Sequence, residues 1–372
     1  MSPRSKFFVA QIEENPQFQF DIFSEIGLDL NSESINGGVN KNSCLFCFKF
    51  FDSLNLANNS FKFTQIPSSF GNLTSLTYLN LSNAGFYGQI PIEFSHLKRL
   101  VTLDLSTLYF PGIRSLQLHN PNLSTLLQNL TGLTELRLDS KLQYRSEIHL
   151  GSNNLSVSVP EFFANFRSLK VLSLSSSNLE GQFAPKIFQV PMLQTLDLLN
   201  NIKLRGFLPE FLQNGSLQRL VLSYTNFSGR LPDSIGNLRN LSMIDLSECN
   251  FTGPIPNSMA NLNHLVYLDL SSNNFIGLIP SFQMSKNLTY IDLSHNTLIG
   301  SVPSSYFTGL SNLLYVDLAY NSFSGRIPLS LFSLQSLQKM QLSNNQFGVQ
   351  VARFPIGSLS PLDTLDLRGN KL

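Results

Sequence analysis

The stretch LVYLDLSSNNFIGLIP, beginning at Leu265, recurs along the chain with starts at Leu217, Leu241, Leu265, Leu288 and Leu313. The steps between those starts (217, 241, 265, 288, 313) are 24, 24, 23 and 25 residues. A period of this size constrains the architecture more than any other property of the chain. One such unit cannot bury its apolar side alone, so neighbouring units must stack into a solenoid.

Inside the unit, Leu268 and Leu270 are two residues apart, which is the strand period and not the helical one. The spacing predicts a short strand, with Val266, Tyr267, Asp269, Ser271 and Ser272 pointing away from the coil interior. Asn273 then turns the chain, because its amide can bond backbone groups that have left the ladder. Gly277 relaxes the backbone, and Ile279-Pro280 restores an extended segment. Stacked strands of this kind are parallel and form one long curved sheet.

These marks resemble the plant extracellular subtype of the leucine-rich repeat, LxxLxLxxNxLxGxIP. The same register can be placed at Glu25, Phe51, Leu76, Leu100, Leu133, Arg145, Leu169, Leu193, Leu337 and Leu362. The resemblance implies an α/β-type leucine-rich-repeat solenoid, a right-handed superhelix with the parallel sheet on its concave face and few helices. The asparagine column reads Asn153, Ser177, Asn201, Thr225, Cys249, Asn273, Asn296, Asn321, Asn345 and Asn370. A second column, Phe227, Phe251, Phe275, Phe323 and Phe347, is expected to stack as a spine. It accounts for part of the 31 Phe in a chain without Trp.

The domain reading is a divergent segment over residues 1–24, followed by the repeat array over 25–372. The array is irregular at 100–148, regular over 145–349, and stops in mid-coil at Leu372. The step from Leu133 to Arg145 is half a repeat. No Cys-paired, Trp-containing cap precedes Glu25, no signal-peptide core is legible after Arg4 and Lys6, and no apolar run reaches 18 residues.

Segments such as SLNLANNSF, LTYLNLSNAGFYGQIPIEF, NPNLSTLLQNLTGLTELRL and GPIPNSMANLNHLVYLDLSSN look like the ectodomain of plant receptor-like proteins of the Verticillium wilt resistance type. That resemblance covers roughly Gly27 to Leu372. It implies a non-catalytic ligand-recognition ectodomain of a cell-surface receptor-like protein in plant defence, held on the extracellular face of the plasma membrane. A protein or peptide ligand would bind the concave face, and leucine-rich-repeat receptor kinases would serve as co-receptors. Membrane attachment would come from a segment absent from this chain. Two alternatives stay open: a soluble apoplastic inhibitor resembling polygalacturonase-inhibiting proteins, and a non-functional truncated gene product.

Charge adds to this. Only 13% of residues are charged and the formal net charge is +1, whereas a nucleic-acid partner would want a basic face. No nucleotide-binding, zinc-protease, hydrolase or kinase motif is present, the five His show no ligand spacing, and neither an enzyme activity, a metal nor a cofactor is expected. Cys44 and Cys47 form a CxxC pair without a second pair. It is either incidental or a local disulfide or remnant cap, while Cys249 is read as structural.

Sequons suit a secreted glycoprotein. The candidates are Asn58, Asn72, Asn122, Asn129, Asn154, Asn214, Asn226, Asn240, Asn250 and Asn287. Asn80, between Leu79 and Leu81 on a strand, is read as unused.

The outward positions carry the candidate binding residues. Two residues after the repeat start stand Tyr267, Tyr290 and Tyr315, expected to form a ladder. Four residues after it stand Asp197, Asp245, Asp269, Asp292, Asp317 and Asp366. Adjacent carboxylates repel, so some of their pKa values are expected to rise, and the row could receive a basic ligand. At the seventh position Tyr224, Glu248, His295 and Tyr320 differ from coil to coil, as a recognition surface requires.

Overall fold

The computed structural model describes residues 26–41, 43–61, 64–108, 116–118, 122–138, 140–141, 157–213, 215–348 and 361–372. Arg145, Asn153, Asn154, Asn214, His119, His149 and the side chain of Cys44 lie outside the described residues. The chain divides into two compact units, Met1–Ala184 with Asn200–Leu204, and Pro185–Leu199 with Arg205–Leu372. Among the described residues, fourteen short strands make the main parallel sheet, six in the first unit and eight in the second.

The strands of the first unit are β1 (Ile26–Asp29), β2 (Phe51–Asn55), β3 (Tyr78–Asn80), β4 (Thr102–Asp104), β5 (Glu135–Arg137) and β6 (Val171–Ser173). They pair in chain order, with Ser53, Tyr78, Thr102, Glu135 and Val171 in one register column. Part of the irregular stretch lies outside this column. The pair Leu116–Gln117 joins Gly88–Gln89 in a separate two-stranded sheet. Leu123–Leu127 forms a short α-helix, α1, whose Asn122 carboxamide accepts from the Thr125 N–H at 2.9 Å. The main sheet then passes from β5 directly to β6 with the strand register kept.

The strands of the second unit are β7 (Thr195–Asp197), β8 (Arg219–Val221), β9 (Met243–Asp245), β10 (Tyr267–Asp269), β11 (Tyr290–Asp292), β12 (Tyr315–Asp317), β13 (Lys339–Gln341) and β14 (Thr364–Asp366). Their register is unbroken: Thr195, Arg219, Met243, Tyr267, Tyr290, Tyr315, Lys339 and Thr364 are successive partners. The central residues of β7 to β13 face inward: Leu196, Leu220, Ile244, Leu268, Ile291, Val316 and Met340 are fully buried.

The asparagine column ties each coil to the one before. The Asn296 amide donates to the carbonyls of Leu270, Leu293 and Ser294 at 3.0, 3.2 and 3.1 Å, and its oxygen accepts from the Phe275 N–H at 2.9 Å. Asn273 does the same for Leu246, Leu270, Ser271 and Phe251. Where Cys249 stands in this column, its thiol donates to the Leu222 carbonyl at 3.1 Å, and burial pushes its pKa up to about 11. The residue is a buried structural donor, as expected. Cys47 is a free, exposed thiol.

Beyond the asparagine turn a second parallel sheet forms, and in it each inward Phe meets a glycine of the preceding coil. The partners are Gly229 with Phe251, Gly253 with Phe275, Gly300 with Phe323 and Gly325 with Phe347. The Phe rings run in two pieces. Phe251 and Phe275 stack at 6.3 Å and Phe323 and Phe347 at 6.2 Å, with Leu298 in the intervening coil.

The side opposite the main sheet is closed by 3₁₀ turns that begin after a proline, whose fixed φ suits the first turn. Asp233–Asn237 and Asn257–Asn261 are successive examples after Pro232 and Pro256. They approach closely at Gly236, where a Cβ would lie 2.5 Å from the Ser258 carbonyl oxygen. Backbone cannot swing aside as a side chain can. Gly236→Ala is therefore expected to cost about 1–3 kcal/mol of stability. Gly348→Ala, where a Cβ meets nothing within 4 Å, should cost far less in the same thermal melts.

Candidate functional site

The open face of the main sheet in the second unit is built by the residues flanking each buried strand centre. Alternation along β10 sends Leu268 inward and Tyr267 and Asp269 outward together, and β11 and β12 repeat this. Strand spacing then sets the tyrosines over one another. Tyr267 and Tyr290 stack with ring centroids 4.4 Å apart at 7°, and Tyr290 and Tyr315 at 4.5 Å and 4°. The ladder expected from the repeat is present.

Each tyrosine is braced by the aspartate two residues on. The hydroxyls of Tyr267, Tyr290 and Tyr315 donate to Oδ2 of Asp269, Asp292 and Asp317 at 3.2, 3.3 and 3.0 Å. The other carboxylate oxygen serves the backbone: Oδ1 accepts from the N–H of Ser271, Ser294 and Ala319. The Ser271 and Ser294 hydroxyls donate to the same oxygens at 2.6 Å. One oxygen of each aspartate thus holds the turn, while the other holds the ring.

These aspartates lie deeper than their outward direction suggests, at 5–8% exposure, because the rings and serines close around them. Burial first, then the charges of Asp292 and Asp245, push Asp269 up to about 7. Burial and Asp292 push Asp317 up to about 6. The expected rise is therefore found, with desolvation its largest cause and repulsion the second. Burial and the same carboxylates also hold Tyr290 and Tyr315 well above the usual phenol range, so their hydroxyls remain donors.

The seventh-position residues stand in a second row, and here the structure adds what sequence reasoning missed. Tyr224, Glu248, Ser272, His295 and Tyr320 all have left-handed backbones, with φ between 51° and 54°. Asn58, Asn83, Asn200 and Asn344 occupy the same place in other coils. Asparagine tolerates this region, whereas a bulky side chain there is an outlier. The signal was legible as a column rich in Asn at the residue before the asparagine turn. In the first unit asparagines of this row link across coils: Asn83 donates to Asn58 and Asn58 to Asn31, at 3.1 and 3.0 Å.

In the second unit the row is instead a set of unlike groups. His295 and Tyr320 stack at 4.2 Å, with Tyr320 51% exposed. Tyr224 is raised by burial and then by the charge of Glu248, which stands in the next coil. Ser272 separates Glu248 from His295. The structure thus brings Tyr267, Tyr290 and Tyr315 into one ladder, His295 and Tyr320 into one pair, and Tyr224 near Glu248.

The carboxylate row has defined ends. On one side Val221 replaces the aspartate, and the buried hydroxyl of Ser223 has no hydrogen-bond partner where Ser247 and Ser271 bond to one. On the other side stand Gln341 and Lys339. The Lys339 ammonium lies 5.2 Å from the Tyr315 ring centroid. Lys339 was legible too, two residues after the start at Leu337.

The sequons Asn58, Asn72, Asn122, Asn129, Asn226, Asn240, Asn250 and Asn287 are exposed. Asn80 is half-buried on β3, with its amide donating to the Tyr78 hydroxyl at 3.2 Å. Among the described residues no group of His, Cys, Asp and Glu could hold a metal ion, and no helix is long and apolar enough to cross a membrane.

Family models for the leucine-rich repeat match residues 215–275 and 282–347, and residues 51–73 and 75–97. Receptor-like protein 6 of Arabidopsis thaliana is 37% identical over 218 residues, covering 59% of this chain and 21% of that protein. Receptor-like protein 7 of the same plant is 41% identical over 220 residues, 58% of this chain and 21% of that protein. Receptor-like protein 9DC1 of Solanum pimpinellifolium is 34% identical over 58% of this chain and 23% of that protein. The chain thus spans under a quarter of the length of these curated relatives. Among solved structures, the Arabidopsis receptor kinase HAESA in complex with the peptide hormone IDA and the co-receptor SERK1 superposes with a TM-score of 0.77 at 29% identity, covering 93% of this chain and 54% of that one. The fold is a leucine-rich-repeat solenoid, and it resembles plant receptor ectodomains crystallised with peptide hormones.

Proposed function

We propose that the chain is a non-catalytic ligand-recognition ectodomain of a plant cell-surface receptor-like protein, and that the open face of β9 to β13 binds a peptide or protein segment. The observation that carries this is the Tyr267–Tyr290–Tyr315 ladder. Three aromatic rings, each half-buried and pinned by a buried aspartate, offer apolar area and donors at little entropic cost. The exposed pair His295 and Tyr320, with Tyr224 and Glu248, flanks it and would supply selectivity. The solved relatives with peptide hormones and a co-receptor kinase support the same mode, with receptor kinases as partners and the extracellular side of the plasma membrane as location. The quoted segments further support placement with the Verticillium wilt resistance type and a role in defence. We read residues 25–372 as one repeat array.

Peptides selected from an unbiased display library on the immobilised chain provide the test. The triple variant Tyr267→Ala, Tyr290→Ala, Tyr315→Ala is expected to weaken their binding at least tenfold, while the circular dichroism of the array stays unchanged. Peptides that bind the folded triple variant as well as the parent would refute the site.

A further inference from the structure

Two sequons stand side by side on the second parallel sheet. Asn226-Phe227-Ser228 and Asn250-Phe251-Thr252 lie in the successive strands Thr225–Arg230 and Asn250–Pro254. Strand alternation sends Phe227 and Phe251 into the core, where both are fully buried. It sends the asparagine and the hydroxyl residue of each sequon outward together, and all four are exposed. Each triplet thus presents its amide and its hydroxyl on one open side. In the next coil Asn274 is also exposed, but Ile276 follows it and the triplet is no sequon.

The two asparagines are bonded to each other. Asn250 Nδ2 donates to Asn226 Oδ1 at 2.6 Å. The oxygen and nitrogen of one amide lie roughly 2.3 Å apart, so the two side-chain nitrogens stand at most roughly 5 Å from each other. The strands beneath are fixed by the ladder, with Ser228 the register partner of Asn250. An N-linked glycan is bulky, and two of them starting from nitrogens this close compete for one space. The bond also distinguishes the two positions. The Asn226 nitrogen takes no part in it, so a sugar there leaves the bond whole. A sugar on Asn250 takes one of the donor's two hydrogens.

Resting on the reading of the chain as a secreted, cell-surface ectodomain, we propose that the pair is a single glycosylation site: the folded chain carries a glycan on Asn226 and leaves Asn250 bare. In the modification, Asn226 Nδ2 forms a bond to the anomeric carbon of an oligosaccharide held on a lipid pyrophosphate. The carbon–oxygen bond to the pyrophosphate breaks, the lipid pyrophosphate leaves with the electron pair, and one amide proton passes to a base. The Asn226 nitrogen keeps its other hydrogen, and Oδ1 still accepts from Asn250. Asn250 is then a positioning residue that braces the stem of the glycan on the neighbouring coil.

The test is secretion of the full chain from plant cells behind an added signal peptide, with glycopeptide mass spectrometry of the folded product. Trypsin cuts between the two sequons at Arg230 and Arg239, so their occupancies are read separately. Asn226 is expected to be occupied in most molecules and Asn250 in few. S228A removes the first sequon but keeps Asn226 and its bond, and should raise occupancy at Asn250 at least fivefold. T252A removes the second and should leave Asn226 unchanged. Thermal melts confirm that the secreted variants fold. Occupancies that sum to more than one in the folded parent, a glycan mainly on Asn250, or no response of Asn250 to S228A overturns the proposal. If both asparagines are bare while Asn129, Asn240 or Asn287 carries a glycan, the paired site is wrong and the secreted ectodomain stands. If no sequon of the exported chain is occupied, both readings fall.

Discussion

Asn296→Ala is expected to destabilise the array by about 3–5 kcal/mol, more than almost any other single polar substitution in it. The wild-type amide satisfies three carbonyls and one N–H, and both residue and partners are buried. Alanine leaves those groups in a space that water reaches poorly, and each orphaned buried group costs about 1–3 kcal/mol. Two of the four bonds, to Leu270 and Phe275, belong to the preceding coil, so the loss loosens a junction as well as a turn. The neighbouring Asn274 is exposed, and Asn274→Ala should change stability by no more than about 0.5 kcal/mol. Urea denaturation of both variants gives the comparison. Equal midpoints would mean that the ladder contributes no more than surface residues do.

The second large effect concerns pH. Asp269 is pushed up to about 7 and Asp317 to about 6, first by burial and then by Asp292, with Asp245 also acting on Asp269. An unfolded aspartate has a pKa of about 3.9. Between about pH 4 and 7 the folded chain therefore binds protons that the unfolded chain has released. The sign follows: this contribution is fully present below about pH 4 and is lost as pH rises through 6 and 7. The hydrogen bonds from Ser271, Tyr315 and the Ala319 N–H, and the charge of Lys339, oppose the shifts without cancelling them. One pKa unit is worth about 1.4 kcal/mol, and sharing among the coupled carboxylates brings the expected loss from pH 5 to pH 8 to about 2–4 kcal/mol. Thermal melts across that range should show a falling midpoint. Asp269→Asn should flatten the fall and exceed the parent's stability at pH 8. A parent midpoint that is level or rising from pH 5 to 8 would contradict the account.

Much of the fold is legible in the sequence. The two-residue step from Leu268 to Leu270 gives the strand, and the period gives the parallel stack, because both depend on local geometry repeated many times. The tyrosine ladder followed from the same arithmetic. Residues 100–148 are less tractable, since the two-residue step from Leu116 to Leu118 is also a strand mark, whereas the chain pairs Leu116 with Gly88 outside the main sheet. Which of two compatible ladders a short apolar pair joins is decided by packing against non-local neighbours. The burial of Asp269 was equally hidden: outward direction is a property of one strand, but exposure depends on the coils beside it. The left-handed backbone at Tyr224, Glu248, His295 and Tyr320 escaped attention because bulky residues mask a position whose usual occupant is Asn.

The left-handed row has a consequence for recognition in an array of near-identical coils. Three equal rings at equal intervals form a comb, and a comb alone has no origin. A ligand slid by one coil would find nearly the same teeth. The symmetry is broken by Glu248, Ser272, His295 and Tyr320, which follow one another along the comb with a different group at each step. Held in a strained backbone beside the repeating rings, they act as graduation marks, turning a periodic surface into one on which position can be read.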